Sequence, residues 1–295
     1  MTAAKANKEL VWETDQFDGH MSELASSDAI GRFNSLRALD KLLDGVHAGL
    51  TTVIGAGPGT GKTTLANQMA LDLASQGVPT IYVSNELPGS RIVQKGVACI
   101  ANGKLTLDDC AGTTPSDKVD DLKWAQAAFK AKVASNLCIV DDAVNTSEID
   151  RLVGDCIHET GKHPALILDY LQMQASMSND ASSDERTAIA NTFNALVKTG
   201  KAYRAPVFVI SSIARAAYSK ADVGLDVFGG CQGIEYGADN AIYLTVDGKT
   251  PAERKSNMER AERPIVLSTL KVRYGAVGSI KLTFDAPHAL FTDRA

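Results

Sequence analysis

The stretch from Gly55 to Thr64 constrains this chain most strongly, because its glycines and the pair Lys62-Thr63 follow the spacing of a phosphate-binding loop. Four residues separate Ala56 from Gly61, and Ala56 holds a place that glycine usually holds. In such a Walker A loop, successive backbone N–H groups surround two phosphates. The predicted nucleotide contacts from this loop are Gly57, Pro58, Gly59, Thr60, Gly61, Lys62, Thr63 and Thr64.

The residues on either side of the loop fit this motif. An apolar run from Leu50 to Ile54 precedes it. Apolar residues then recur at helical spacing, at Leu65, Met69 and Leu73. We therefore predict strand, loop and helix, with Lys62 neutralising the outer phosphates of ATP and Thr63 holding Mg²⁺. The alternative, a chance glycine turn, is disfavoured by the complete spacing.

Composition limits the class of protein. No apolar run in the 295 residues approaches the roughly 18 that a membrane span needs. The five cysteines are scattered without a C-x-x-C pair, which disfavours a disulfide framework or a zinc site. The N-terminus has no basic region followed by an apolar stretch, so no signal peptide is expected. We predict a soluble, cytoplasmic protein with no membrane partner.

Charge is distributed unevenly along the chain. The net charge is −5, and the segment before Arg32 holds two lysines against six acidic residues. We predict an acidic N-terminal tail or arm over residues 1–34 and one ATPase domain over 35–295. The domain is near neutral and lacks the basic stripe of many nucleic-acid binders, so any such contact must come from local clusters repeated around a ring.

Strand and helix patterns alternate along the chain. Short apolar runs typical of buried strands are Thr80–Ser84, Leu137–Val140, Ala165–Leu168, Pro206–Ile210 and Ala241–Val246. Helices are predicted between them, near 62–77, 90–101, 117–134, 146–160 and 187–199. For the last of these, Ser182 to Glu185 is interpreted as a capping box and Gly200 as the stop. The predicted fold class is α/β, a doubly wound and mostly parallel sheet.

The end of the chain departs from this alternation. After Pro264, two strands are predicted over Ile265–Tyr274 and Gly278–Phe284, joined by a short turn that contains glycine. This predicts a C-terminal antiparallel hairpin.

Asp169 is the second predicted site residue. It ends a buried strand, and a carboxylate at that edge of the sheet can hold Mg²⁺-bound water beside the phosphate loop, as a Walker B aspartate does. A turn or cap aspartate is the alternative. That alternative is favoured for Asp141 and Asp142, which are predicted to cap the next segment.

Glu86 is the candidate catalytic base. Tyr170 follows Asp169, so the glutamate that many P-loop ATPases carry at that place is missing. Glu86 closes the strand Thr80–Ser84, next to the P-loop strand, and can orient water on the γ-phosphate. The alternative is a solvated residue ahead of the turn at Pro88-Gly89.

Taken together, the motifs resemble the RecA-like ATPase domain of DnaB-type replicative helicases. The resemblance runs from about Ser35 to Asp293 and rests on Leu39-Asp40, Gly49-Leu50, the P-loop, Val83-Ser-Asn-Glu-Leu-Pro88, Leu166-Ile-Leu-Asp-Tyr-Leu-Gln172, Ile234-Glu-Tyr-Gly-Ala-Asp239 and Lys271-Val-Arg-Tyr-Gly275. It implies a P-loop ATPase that works as a homo-oligomer, a hexamer in this family, on single-stranded DNA. It also implies that Glu86 polarises water and that Lys271 and Arg273 reach a neighbouring subunit's γ-phosphate.

The pair Lys271 and Arg273 also has its own argument. Residues two apart on a strand face the same way, so both cations are predicted to lie side by side. An arginine supplied in trans can meet the charge that develops at a γ-phosphate. The alternative is a basic edge strand that discourages aggregation.

The chain also departs from the family pattern. The N-terminal helical domain of DnaB-type chains is not found before the match, which suggests a separate protein partner. Ser211-Ser212 stands where the family has Ser-Gln. The loop from Ala217 to Gln232, at the place of a DNA-facing loop, has one lysine. Arg186 and Lys220 are the candidate nucleic-acid contacts, and solvated surface residues are the alternative.

Three functions are consistent with these features. The preferred one is an ATP-driven helicase or translocase on single-stranded DNA. A regulatory or assembly ATPase similar to KaiC and RadA is the second, favoured by the near-neutral domain and the missing glutamine. A nucleotide kinase is the third, disfavoured because residues 249–263 mix both charges instead of clustering arginines.

Overall fold

The computed structural model describes residues 29–112, 114–177, 184–213, 223–228 and 232–294. Within them, the helices are α1 (Arg37–Leu43), α2 (Lys62–Ser75), α3 (Gly89–Ile100), α4 (Val119–Lys132), α5 (Thr146–Thr160), α6 (Leu171–Ser176), α7 (Glu185–Tyr203), α8 (Gln232–Gly237) and α9 (Pro251–Met258). Short 3₁₀ turns cover Ser116–Lys118 and Leu225–Phe228.

The strands form one large sheet and a small ribbon. They are β1 (Ala29–Gly31), β2 (Val46–His47), β3 (Thr51–Ala56), β4 (Thr80–Ser84), β5 (Leu137–Val140), β6 (Ala165–Asp169), β7 (Val207–Ser212), β8 (Asn240–Val246), β9 (Glu262–Lys271), β10 (Gly278–Asp285) and β11 (Leu290–Asp293). The large sheet has the order β11-β10-β9-β8-β3-β7-β6-β4-β5, and β1 pairs with β2.

The predicted fold class is confirmed. Strands β8, β3, β7, β6, β4 and β5 are parallel to one another. Strand β9 pairs antiparallel with β8 on one side and with β10 on the other. Strands β9 and β10 form the predicted C-terminal hairpin, and β11 extends it by pairing with β10.

Strands β3, β4, β6 and β8 are buried along their whole length because helices cover both faces of the sheet. Strand β5, at the edge of the sheet, is only half-buried and its Cys138 is exposed, so its predicted burial on both faces is wrong. Every residue of β3 is buried, and its side chains alternate between two cores. Ile54 packs with Leu65 and Met69 of α2, whereas Val53 packs with Phe193 of α7 and with Val83. Burial on both faces explains why these strands are continuous apolar runs.

The prediction that Gly200 ends its helix is wrong, because α7 continues to Tyr203. A Cβ at Gly200 would lie 2.8 Å from Cγ2 of Val207, so glycine lets the helix approach β7 closely. The helix ends at Arg204, which adopts a left-handed conformation. Asp184 caps its start by accepting a hydrogen bond from the Thr187 N–H, and Ser182 lies outside the described residues.

The predicted bounds of the first hairpin strand are also wrong. Strand β9 covers Glu262–Lys271 instead of 265–274, so Arg273 and Tyr274 follow its end. The pairing of β9 with β8 is irregular between Ala241, which is the partner of Lys271, and Ile242. The alternation argument for Lys271 and Arg273 therefore does not apply.

Residues before the phosphate loop also pack on the domain. Phe33 is fully buried, and its ring lies edge-on to Phe208 at 5.7 Å between centroids. The Asp72 carboxylate of α2 accepts hydrogen bonds from the Ser35 backbone N–H and hydroxyl. The division between an arm over 1–34 and the domain stays a prediction. In the described part of the chain, no helix is long and apolar enough to cross a membrane.

Replacing Gly275 with alanine should destabilise the fold. Its Cβ would overlap the backbone carbonyl oxygen of Leu42, which accepts a hydrogen bond from the Ala276 N–H. Overpacking of this kind costs about 1–3 kcal/mol, measurable by urea unfolding. Gly154→Ala in α5 is the control, because its Cβ would meet only the tip of Tyr203 at 3.3 Å. Equal stability of both variants would contradict the expectation.

Asp72 should make stability depend on pH. Burial raises the pKa of its carboxyl to about 6, against 3.8 for an unperturbed group. The folded chain therefore binds the proton more tightly than the unfolded chain, and acidification stabilises the fold through this group. Between pH 7 and pH 5 the wild type should gain about 1 kcal/mol relative to Asp72→Asn. Urea unfolding at both pH values tests this, with the exposed Asp142→Asn as control; a difference that does not change with pH would contradict it.

Candidate nucleotide-binding site

The predicted phosphate loop lies between β3 and α2. Gly59 and Gly61 have φ of +75° and +92°, which favours glycine at both positions. A Cβ at Gly61 would also lie 2.7 Å from the Phe291 ring. Because α2 begins at Lys62, its unpaired N–H groups and positive dipole end lie at the loop. The Thr60 hydroxyl holds the loop closed by donating to the Gly57 carbonyl oxygen at 2.8 Å.

The Lys62 ammonium folds over this loop. Its Nζ donates to the carbonyl oxygens of Ala56 and Gly57, each at 3.0 Å. Burial lowers the pKa of Lys62, and the nearby carboxylates of Asp169 and Glu86 oppose that shift. The cation is thus half-buried and next to the loop where phosphates are expected.

Asp169 is the last residue of β6 and is 1% exposed. The Tyr82 hydroxyl donates to Oδ2 at 3.1 Å, and the Thr63 side chain also hydrogen-bonds to the carboxylate. Burial raises the pKa of Asp169, while these hydrogen bonds and Lys62 favour the charged form. The hydroxyl and carboxylate oxygens fit the hard ligands that Mg²⁺ prefers, with phosphates and waters completing its shell.

Glu86 lies beside this pair, two residues past the end of β4. Ser84 pairs with Asp169 across β4 and β6, and the Asn85 N–H donates to the Asp169 carbonyl oxygen at 2.8 Å. The Glu86 side chain is exposed and lines an open cleft of about 580 Å³. The same cleft is lined by Pro58, Gly59, Gly61, Lys62, Thr63 and Thr64. The structure thus brings six of the eight predicted loop residues and Glu86 together around one cleft, whereas Gly57 and Thr60 do not line it.

Two cations that line this cleft, Lys95 and Arg263, were not predicted from the sequence. Lys95 of α3 lies 3.5 Å from the Thr64 hydroxyl, and burial lowers its pKa against the attraction of Asp169 and Glu86. Arg263 of β9 donates from Nη1 to the Gly59 carbonyl oxygen at 2.5 Å. The only sequence signal for Lys95 was its place on the helix that follows Glu86.

Arg263 carried no such signal, because its position depends on the pairing of β9 at the far side of the sheet. Its guanidinium lies 5.5 Å from the centre of the Phe284 ring, a cation–π contact at the mouth of the cleft.

Gln172 connects two strand ends at the cleft. Its Oε1 accepts a hydrogen bond from the Ser212 N–H at 3.0 Å, and its Nε2 donates to the Ser211 hydroxyl at 2.9 Å. Gln172 and Ser212 both line the cleft. Ser212 therefore presents a short hydroxyl side chain. Its backbone N–H is held by Gln172, which lies on the side of the candidate Walker B residue Asp169.

The structure does not bring Lys271 and Arg273 to this cleft. Lys271 pairs with Ala241, near the amino end of β8, whereas the phosphate loop follows the carboxyl end of β3. Lys271 Nζ contacts the Glu235 carbonyl oxygen at 3.4 Å. Arg273 Nε forms an ion pair with Asp239 Oδ1 at 2.7 Å. Both cations therefore lie at the opposite edge of the sheet from the cleft of their own chain.

The remaining predicted residues lie in different parts of the chain, and the structure describes only some of them. Arg186 lies exposed in the first turn of α7. Lys220 and most of the loop 217–232 lie outside the described residues. Asp141 does not cap the following helix, since Asn145 does so; it accepts the Gly89 N–H at 2.6 Å, at the start of α3.

Comparison with known proteins gives a consistent result. The family described as "DnaB-like helicase C terminal domain" matches residues 32–293. The replicative DNA helicase DnaB of Treponema pallidum is 28% identical over 270 residues, 90% of this chain and 56% of that protein. The corresponding protein of Leifsonia xyli is 26% identical over 263 residues, 87% and 54% respectively. The chain thus spans about half the length of the curated relatives it matches.

Solved structures share the fold. One of them, described as an ATPase domain, has a TM-score of 0.82 at 17% identity, over 97% of this chain and all of that one. A second, described as a DnaB-like replicative helicase and its interactions with primase, has a TM-score of 0.79 at 18% identity, over 99% of this chain and 69% of that one.

Replacing Lys95 with methionine should weaken nucleotide binding. The change keeps the length of the side chain and removes a half-buried cation from a cleft that is expected to hold phosphates. We expect affinity for ATP to fall by about tenfold, since charged hydrogen bonds contribute about 1.5–3 kcal/mol. Titration with a fluorescent ATP analogue measures it, with the exposed Lys130→Met of α4 as control. Unchanged affinity would remove Lys95 from the site.

Proposed function

This chain belongs to the family of DnaB-like helicase C-terminal domains, and we propose that it is an ATP-hydrolysing motor domain that moves on single-stranded DNA as a homo-oligomeric ring, a hexamer. The family itself implies use of a nucleotide and Mg²⁺. The observation that carries the proposal is a cleft lined by the candidate phosphate loop and Glu86, with the buried Asp169 behind Thr63 and the two other proposed catalytic cations at the opposite edge.

Within one chain, the proposed roles follow from position and charge. The backbone N–H groups of Gly57, Gly59, Thr60 and Gly61 and the Lys62 ammonium bind the outer phosphates of ATP. Thr63 and Asp169 would hold Mg²⁺, which when bound supplies positive charge against the triphosphate. Glu86 orients the attacking water and accepts its proton.

Completion of the site by a neighbouring chain is supported by the location of Lys271 and Arg273. They lie at the sheet edge opposite their own cleft, and that edge also carries exposed apolar side chains, which are 80% exposed at Tyr236, 58% at Tyr274 and 69% at Val277. In a ring, one subunit's Arg273 then stabilises charge on the γ-phosphate bound to the next subunit.

Contact with single-stranded DNA is proposed from the family. Arg186 and Lys220 are the proposed contacts, each repeated around the ring. A separate protein partner is also proposed, since a structural relative is described with primase. We further propose a cytoplasmic location and an acidic arm over residues 1–34.

The proposal is tested by ATP turnover across protein concentrations, with and without single-stranded DNA. Turnover per chain should rise with concentration, because the site needs a neighbour. It should also rise with DNA, and that stimulation should fall steeply with salt. Glu86→Gln should lower turnover by about a hundredfold or more at unchanged ATP affinity, because general base catalysis is lost.

The exposed Glu159→Gln, at the end of α5, is the matched control and should leave turnover unchanged. Concentration-dependent turnover that ignores DNA would instead support a regulatory ATPase that responds to a protein partner. Full turnover by Glu86→Gln would mean that another group orients the water.

A further inference from the structure

Arg273 is attached to its own chain through one side of its guanidinium. Its Nε donates to Asp239 Oδ1 at 2.7 Å, and its backbone N–H donates to Asn240 Oδ1 at 3.0 Å. The Asp239 side chain is 4% exposed, whereas that of Arg273 is 54% exposed. A buried carboxylate therefore holds the inner edge of an exposed cation.

The outer edge of the same guanidinium is available. Within the described residues, Nη1 and Nη2 of Arg273 make no hydrogen bond. These two nitrogens form the planar fork that matches phosphate oxygens in a bidentate contact. Lys271 differs, because the one hydrogen bond of its Nζ within the described part of the chain goes to a backbone carbonyl oxygen, that of Glu235.

Asp239 also binds the strand that leads to the phosphate loop. Its Oδ2 accepts the Thr51 N–H at 2.9 Å, and its own N–H donates to the Thr51 carbonyl oxygen at 2.9 Å. Asn240 Nδ2 donates to the Thr52 hydroxyl at 3.1 Å. The first two residues of β3 and the exposed arginine are thus held by one adjacent pair, Asp239 and Asn240.

We propose that Asp239 is a positioning residue for hydrolysis at the neighbouring subunit's site, where it acts by holding Arg273. This inference rests on the proposed function, because it requires that Arg273 act in trans. A long arginine side chain loses rotamer entropy when it is ordered at a phosphate, and a fixed Nε removes part of that cost in advance. The anchor also ties the position of the arginine to the strand that carries its own chain's phosphate loop.

Asp239→Asn tests the role with little change of shape. Asparagine retains an acceptor for the Thr51 N–H and loses the charge that holds Arg273. A purely structural role would damage the variant's own site, whereas a positioning role damages the neighbour's. Mixed assemblies separate the two effects.

In the first arrangement, a trace of wild-type chain is mixed with a large excess of Glu86→Gln chains, which supply their Arg273 and whose own residual turnover, measured without the trace, is subtracted. The excess chains carry Glu86→Gln alone or with Asp239→Asn, Arg273→Ala, both, or Asp72→Asn as the control for loss of a buried carboxylate. Turnover per wild-type chain, kcat and KM with Mg²⁺ and ATP, is the measurement.

We expect Asp239→Asn in the excess chains to lower kcat of the wild-type trace by about 10- to 100-fold with little change of KM, since misplacing a catalytic group has effects of this size. Adding Asp239→Asn to Arg273→Ala should lower it no further, because the residue acts through Arg273. The Asp72→Asn control should have no effect.

The reverse arrangement places a trace of Asp239→Asn among Glu86→Gln chains, whose Arg273 is intact. Its turnover should be close to that of wild type. A loss here, or no effect of Asp239→Asn in the first arrangement while Arg273→Ala lowers turnover, would overturn the positioning role alone. No effect of Arg273→Ala would overturn the trans arginine of the proposed function, and this inference with it.

Discussion

The parallel pairing of β3 with β7 on one side and β8 on the other is the constraint on which the site depends. Parallel strands end at one edge of the sheet. That edge therefore brings together the loop after β3, Asp169 at the end of β6 and Glu86 after β4, although they are far apart in the sequence. Strand β9 runs the opposite way, so its end carries Lys271 to the other edge. One sheet therefore offers a cleft at one edge and two cations at the other.

Side chains of both signs of charge lie at the cleft. Lys62 and Lys95 are half-buried beside Asp169 and Glu86, and burial lowers the pKa of both lysines while raising that of Asp169. Each lysine reduces the free-energy cost of burying a nearby carboxylate, and each carboxylate reduces that of burying a lysine, because opposite charges attract more strongly away from water. A polyphosphate and its metal together carry both signs of charge. They therefore fit a cleft that holds lysines and carboxylates better than they would fit a cleft with charges of one sign.

Much of the fold could be predicted because its signals are local. Strands β4 and β5 and helix α5 have the predicted bounds, since apolar runs and caps determine them from adjacent residues. The errors occurred where distant residues decide. Gly200 is inside a helix because Val207 packs against it, and β9 ends at Lys271 because of its pairing with β8. Elements such as α1, α6 and α9 were not predicted, since their patterns are short.

By itself the sequence determined the alternation that makes a parallel sheet, and it predicted a glycine-rich loop between a strand and a helix with Asp169 and Glu86 at neighbouring strand ends, because spacing along one strand, loop and helix is enough to specify each position. Tertiary structure alone decided that Lys95 and Arg263 line the same cleft, that the Asp239 carboxylate holds Arg273, and that Arg273 lies at the opposite edge from its own cleft. Those contacts join residues many positions apart, and the order and direction of strands in the sheet bring them together.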